Sequence, residues 1–229
     1  MTEKDYKEGQ VILMDKPLEW TSFQVVNKMR WLIKKQFGIK KIKVGHAGTL
    51  DPLATGLLII CTGKFTKKID TYQAQEKEYT GTITLGATTP SYDLETEIDQ
   101  TFDISEITSE KINKATLQFI GEIQQQPPIF SALKKEGKKL YEFARKGEEV
   151  DIPFRTVSIS KFEITKIDLP NVEFRVVCSK GTYIRSLAHD SGKALGNGAH
   201  LSALRRTRIG DFSVVNAIGI EEFEKSLTS

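Results

Sequence analysis

Gly45-His-Ala-Gly-Thr-Leu-Asp-Pro-Leu-Ala-Thr-Gly56, running straight into Leu57-Leu-Ile-Ile-Cys61, is the stretch on which the reading of this 229-residue chain turns. Gly45, Gly48, Pro52 and Gly56 interrupt any helical period, so the first part is a loop, and the apolar run after it has the length and composition of a buried strand. The loop carries one carboxylate, Asp51, among small and apolar neighbours. No Asp, Glu or Cys lies beside it and His46 stands five residues away, which leaves neither a metal cluster nor the paired acids of glycosidase chemistry. An isolated carboxylate suits nucleophilic or electrostatic work. An Asp followed by Pro at the start of a turn is also a common structural cap, and the loop alone leaves both uses open.

Two phosphate chemistries are tested by spacing. A P-loop needs G-x-x-x-x-G-K-[ST], whereas Gly56 to Gly63-Lys64 has six intervening residues and Phe65 where the hydroxyl belongs. An aspartyl-phosphate enzyme places its Asp at the end of an apolar strand with further acids for Mg²⁺, and Lys43-Val44-Gly45-His46 reads as a poor strand.

Outward from the loop, Val11 to Met14 predicts a short buried strand ending at Asp15-Lys16-Pro17. Thr21-Ser-Phe-Gln24 has capping-box spacing, and Val25, Met29, Leu32 and Ile33 follow at helical intervals. Tyr79 to Leu85 alternates as a strand, and Ile112, Ala115, Thr116 and Phe119 mark a helix opened near Thr108 or Ser109. Val157 to Ile167 and Val172 to Cys178 predict two strands joined through Pro170-Asn171, with a helix from Tyr183 to Leu195 closed by Gly196. Adjacent strand pairs with interspersed helices predict an α+β domain on a mixed, largely antiparallel sheet. No repeat or linker divides the chain.

Hydrophobic content of 39% is ordinary for a globular protein. The absence of a long apolar run or a signal-like start predicts a cytoplasmic protein off the membrane. Cys61 and Cys178 sit in apolar runs and read as buried free thiols. The net charge of +3 identifies no partner, but its distribution is segregated. Five lysines and no acid lie between Lys34 and Lys43, seven Lys/Arg face only Asp190 between Arg175 and Arg208, and acids collect from Asp93 to Glu122. A polyanion would meet one basic face; solvated helix faces would give the same runs.

At this point a resemblance becomes specific. Residues 44–67, VGHAGTLDPLATGLLIICTGKFTK, resemble the signature of the bacterial transfer-RNA pseudouridine-55 synthase family, TruB. Val11-Ile-Leu-Met-Asp-Lys-Pro17 is similar to its amino-terminal lysine-proline motif, Lys77-Glu-Tyr79 to its tyrosine motif, and Pro127-Pro-Ile-Phe-Ser-Ala-Leu133 to the loop before its mobile thumb. Ser179-Lys-Gly-Thr-Tyr-Ile-Arg185 and Gly198-Ala-His-Leu-Ser-Ala-Leu-Arg-Arg-Thr-Arg208 complete a collinear set from about residue 10 to 212.

The resemblance implies a pseudouridine-synthase fold with an inserted thumb loop, and an enzyme that isomerises uridine 55 in the T-arm of transfer RNA without metal, cofactor or guide RNA. It implies Asp51 as catalytic carboxylate, Arg185 as the cation that pairs with it, and Tyr79 stacking on the target base. His46, Tyr183 and Leu204 match substrate-contacting positions, Leu204 through its backbone, and Asp93 supports the site. Lys16 and Pro17 brace the catalytic loop. Lys40, Lys41, Lys43, Lys134, Lys135, Arg205, Arg206 and Arg208 are the candidates for RNA phosphates, whose contacts would offset about a few kcal/mol of unstacking when the uridine flips out.

Family members commonly continue into a small carboxy-terminal RNA-binding domain. Here a catalytic domain over 1–212 is expected, followed by a short extension, 213–229, with no separate domain. A monomer with no obligate protein partner follows from the same reading. Two rivals stand beside it: an RNA chaperone that binds without modifying, which would not need Asp51, Tyr79 and Arg185 together, and a metal-dependent phosphatase with an Asp nucleophile.

Overall fold

The computed structural model describes residues 1–135, 137–148 and 150–228. In chain order the elements are α1 (Glu3–Glu8), β1 (Val11–Lys16), α2 (Ser22–Phe37), β2 (Val44–His46), β3 (Ala54–Thr62), α3 (Ile69–Ala74) and β4 (Lys77–Leu85). There follow β5 (Ala87–Thr88), β6 (Gln100–Thr101), α4 (Ser109–Leu117), β7 (Gly121–Gln125), β8 (Lys134–Lys135), β9 (Lys138–Lys139) and α5 (Leu140–Ala144). The last are β10 (Arg155–Asp168), β11 (Asn171–Cys178), α6 (Ile184–Ala194), β12 (Ala199–Ile209), β13 (Phe212–Ser213) and α7 (Ile220–Ser226), with 3-10 turns at Gly63–Lys68 and Val214–Asn216. The chain divides into one unit of residues 1–79 and 204–229 and a second of residues 80–203.

The spine of the first unit is β3. It pairs antiparallel with β1, from Val11↔Cys61 to Lys16↔Gly56, antiparallel with β2, and parallel with β12 at Leu204↔Ala54 to Arg206↔Gly56. Its two faces look into two cores. Leu58 and Ile60 join Tyr6, Met14, Met29, Ile33 and Phe223, whereas Leu57, Ile59 and Cys61 join Ala47 and Ile209. Burial on both sides explains why the run is continuously apolar instead of alternating.

Helix α2 covers the first core. Thr21 Oγ1 accepts from the Gln24 N–H at 3.1 Å, the Gln24 side chain accepts from the Thr21 N–H at 2.7 Å, and Gly38 ends the helix at φ 62°. Val25, Val26, Met29, Leu32 and Ile33 lie buried on its inner face, and each such side chain contributes roughly 1.5–3 kcal/mol on full burial. Residues past 212 belong to the same core. The Ile218 N–H donates to Leu13 O at 3.0 Å, Ile218 O accepts from the Asp15 N–H at 2.9 Å, and Phe223 of α7 is fully buried.

Residues 44–46, expected to make a poor strand, are a strand. β2 pairs with the end of β3 at Val44↔Thr62 and His46↔Ile60. Its ladder comes from a neighbour already in place, which offsets the weak side-chain pattern.

In the second unit the strand order is β4-β11-β10-β7. β10 is antiparallel to both of its neighbours. Phe162 meets Phe119 and Phe174 edge-on, with ring centroids 6.3 and 5.9 Å away. Thr108 caps α4, and Gly196 at φ 65° follows α6. The segment expected as the thumb holds the lysine hairpin β8–β9, turned by Gly137 at φ 82°, and then α5. Antiparallel strands, the parallel β3–β12 pair and flanking helices make a mixed α+β architecture. Among the described residues no helix is long and apolar enough to cross a membrane.

Candidate active site

The backbone on both sides of Asp51 is held by named groups. Arg206 sends Nη2 to Gly48 O at 3.0 Å, Nη1 to Thr49 O at 3.4 Å and Nε to Leu57 O at 2.8 Å. Ser22 Oγ donates to Leu50 O at 3.1 Å and accepts from the Leu50 N–H at 2.9 Å. On the far side, Pro52 O accepts from the Glu19 N–H at 2.9 Å and from Lys16 Nζ at 3.3 Å, and the Ala54 N–H donates to Asp51 O at 3.1 Å. Gly56, at φ 101°, lets β3 approach β12 so closely: a Cβ there would lie 2.3 Å from Arg206 O. A half-buried carboxylate on a loop fixed at Gly48, Thr49, Leu50 and Pro52 needs little reorganisation to act.

Lys16 is fully buried, and its Nζ also donates to Pro17 O at 2.8 Å and Trp20 O at 2.5 Å. Burial draws its ammonium down to about 8, with the Asp51 carboxylate opposing and the Arg206 guanidinium reinforcing the shift. Below that pH Lys16 is charged in both the folded and the unfolded chain. Above it the unfolded chain still holds a proton that the folded chain has released, so the Lys16 contribution to stability rises with pH up to the ordinary lysine range. The loop brace, in contrast, loses its charge there. Turnover is therefore expected to fall as pH rises through about 8 without a matching loss of melting temperature, and Lys16→Met is expected to flatten that limb. A wild-type rate unchanged up to pH near 9.5 would contradict this.

The other matched residues of the first unit are placed as follows. Burial holds the His46 imidazole on β2 below its ordinary range, with Arg206 adding to the effect and a hydrogen bond with the Gly48 backbone opposing it. Its Nδ1 is buried without a hydrogen-bond partner among the described residues. Tyr79 is a buried residue of β4. Leu204 O accepts from Thr55 Oγ1 at 3.5 Å, which lays that backbone beside the strand leaving the Asp51 loop. Pro17 is exposed.

The arginines need revision. Arg206 is 1% exposed and spends its guanidinium on two loop carbonyls and that of Leu57 in β3, so it is a brace and cannot meet a phosphate. Arg205 makes a two-point pair with Asp15 at 2.6 and 3.0 Å, and Arg208 pairs with Glu76 at 3.1 Å. Both are partly exposed, with their charge already matched.

In the second unit Arg185 is 5% exposed, with Nη1 3.5 Å from Asp93 Oδ2 and 3.4 Å from Ser91 O. Asp93 is itself buried, so it orients the guanidinium. The backbone of Tyr183 is gripped by the buried side chain of Gln125, which accepts from its N–H at 2.7 Å and donates to its O at 3.0 Å. Gln125 carries no local sequence signal, since its partner lies 58 residues on. His189 stacks on Tyr92 at 3.8 Å, and burial pushes its pKa down to about 4. Lys134 is exposed, and Lys135 Nζ donates to Asp151 O at 2.6 Å. Lys40, Lys41 and Lys43 are exposed in the first unit. No group of three or more His, Cys, Asp or Glu that could hold a metal occurs among the described residues.

Comparison with known proteins gives a consistent class. Solved structures of the same fold include one described as a Cbf5-Nop10-Gar1 complex, at TM-score 0.72 and 33% identity over 97% of this chain, and an H/ACA RNP bound to a substrate RNA containing 2'-deoxyuridine, at TM-score 0.69 and 31% identity over 96%. The chain spans about half of each of those chains, 55% and 53%. The two family models that match are both of pseudouridylate synthases: the TruB family N-terminal domain over residues 34–184 and the tRNA pseudouridylate synthase B C-terminal domain over residues 185–229. The chain belongs to the TruB family of pseudouridylate synthases. Among its relatives are proteins called tRNA pseudouridine synthase B from Flavobacterium johnsoniae, 64% identical over 99% of this chain and all of the relative, and from Phocaeicola vulgatus, 55% identical over 97% and 95%.

Proposed function

We propose that the chain converts uridine 55 of the transfer-RNA T-arm to pseudouridine in the cytoplasm, acting as a monomer without cofactor, guide RNA or protein partner. The observation that carries this reading is the Asp51 loop, fixed at Gly48, Thr49, Leu50 and Pro52 while its one carboxylate stays half-exposed. The isomerisation breaks the N1–C1′ bond, forms C5–C1′, removes the C5 proton and returns one to N1. It is redox-neutral, so a carboxylate, an aromatic face and a cation are a sufficient chemical set.

Asp51 acts at the reacting centre, Tyr79 supplies the aromatic face and a phenol, and Arg185, seated on Asp93, supplies the cation. His46, Tyr183 and the Leu204 backbone contact the displaced nucleotide, and extrusion of the base leaves them room to read its edges. Exposed Lys40, Lys41, Lys43 and Lys134 meet phosphates.

Incubation with a T-arm stem-loop, followed by mapping of pseudouridine, tests the reading. Conversion of a single uridine, undiminished by a chelator and without added RNA or protein, is expected. Binding without product would favour an RNA chaperone, and loss of activity with chelator would revive the metal-dependent reading.

A further inference from the structure

Lysines from three separate segments of the first unit converge at the end of β3 that lies away from Asp51. Lys7 of α1, Lys41 and Lys43 before β2, and Lys64 and Lys67 of the turn at Gly63–Lys68 line a groove of about 310 Å³ together with Ile42, Gly63 and Thr66. No acid lines it. Glu3 and Glu8 pair with Lys7 and Lys64 from outside, but those side chains are well exposed, at 43%, 58%, 51% and 69% respectively. Exposed pairs of this kind are weak and exchange readily for a phosphate.

The walls are also fixed to one another. The Gly63 N–H donates to Lys43 O at 2.9 Å, Thr62 Oγ1 donates to Tyr6 O at 2.9 Å, and a Cβ on Gly63 would lie 2.1 Å from Lys7 O. Five like charges held in one concave place repel each other, and a polyanion relieves that repulsion.

We propose that this groove seats backbone phosphates of the transfer RNA beyond the end of the T-arm stem-loop; the proposal rests on the RNA substrate argued above. β3, nine residues long, separates the groove from the Asp51 loop, a span of roughly 27 Å at strand geometry. Phosphates flanking a flipped nucleotide do not reach that far, whereas a continuous helix carried on from the arm does. The span is also several Debye lengths at physiological salt, about 8 Å each, so the groove acts on affinity and not on the chemical step.

Dissociation constants measured across a salt series for a whole transfer-RNA transcript and for the isolated T-arm stem-loop test this. The proteins compared are the wild type, Lys64→Gln/Lys67→Gln, and the charge control Lys161→Gln/Lys166→Gln, whose lysines lie exposed on β10. The groove variant is expected to bind whole transfer RNA roughly tenfold more weakly, with a log-log salt slope flatter by about two, and the stem-loop within about twofold of wild type. The control is expected to match wild type on both. Unchanged binding of whole transfer RNA by the groove variant overturns the proposal, as does an equal loss on the stem-loop or an equal loss in the control. Should the wild type bind but modify neither RNA, the catalytic reading fails while these affinities still decide the groove.

Discussion

Asp51→Asn is expected to lower the rate of pseudouridine formation on a T-arm stem-loop by at least about 10⁴-fold, the scale lost when a group that acts in the chemical step is removed. The change is nearly isosteric. Every hydrogen bond given above for the loop engages backbone atoms of Gly48, Thr49, Leu50, Asp51 or Pro52, which the substitution leaves in place. Melting temperature and RNA affinity measured on the same variant tell a loss of folding or of binding apart from a loss of chemistry. Single-turnover assays with saturating enzyme separate the step from binding. Equal product from the two proteins would remove Asp51 from the mechanism, and a collapse in melting temperature would make it the structural cap that its position before Pro52 also allows.

Arg206→Ala is expected to destabilise the fold by about 4 kcal/mol, or roughly 10 °C in melting temperature for a chain of this size. It leaves the carbonyls of Gly48, Thr49 and Leu57 without their donor and empties one of the largest fully buried side-chain volumes. Arg206→Lys keeps the charge but not the fork that reaches three acceptors, so an intermediate loss is expected. The salt dependence of RNA binding by folded Arg206→Lys should match wild type. A surface arginine on a phosphate would give the opposite pattern, with little change in melting and a salt slope flatter by about one.

Legibility divides along the range of the interactions. The Thr21 capping box, the apolar face from Val25 to Ile33 and the β10–β11 hairpin are set within a few residues, and all were readable from spacing. Of the loop read from Gly45 to Gly56, residues 47–53 are irregular backbone carrying one acid, as expected, while its two ends belong to β2 and β3. What holds it was not legible. Ser22 looked like the first residue of a helix, yet its hydroxyl closes on Leu50, 28 residues away. Arg206 looked like part of a basic run, and only parallel pairing of β12 with β3, across about 150 residues, turns its side chain inward behind the loop. Arg205, the residue before it, points to Asp15 and remains partly exposed, as alternation along a strand requires. β12 itself drew no strand reading because its polar and charged residues hide the alternation. The lysine groove shows the same limit: Lys41 and Lys43 stood out as a local run, but Lys7 and Lys64 join them only in three dimensions.

β1 is the outermost strand of its sheet among the described residues, and its open side is met at Met14 by an isolated bridge to Ile218. Ile218 takes up the N–H of Asp15 and the carbonyl of Leu13, while α7 drops Phe223 into the core beneath. An unpaired edge strand is a template for self-association, and a short segment pairing locally removes it. The segment around Ile218 thus closes part of the edge of β1, a structural role separate from any grip on RNA.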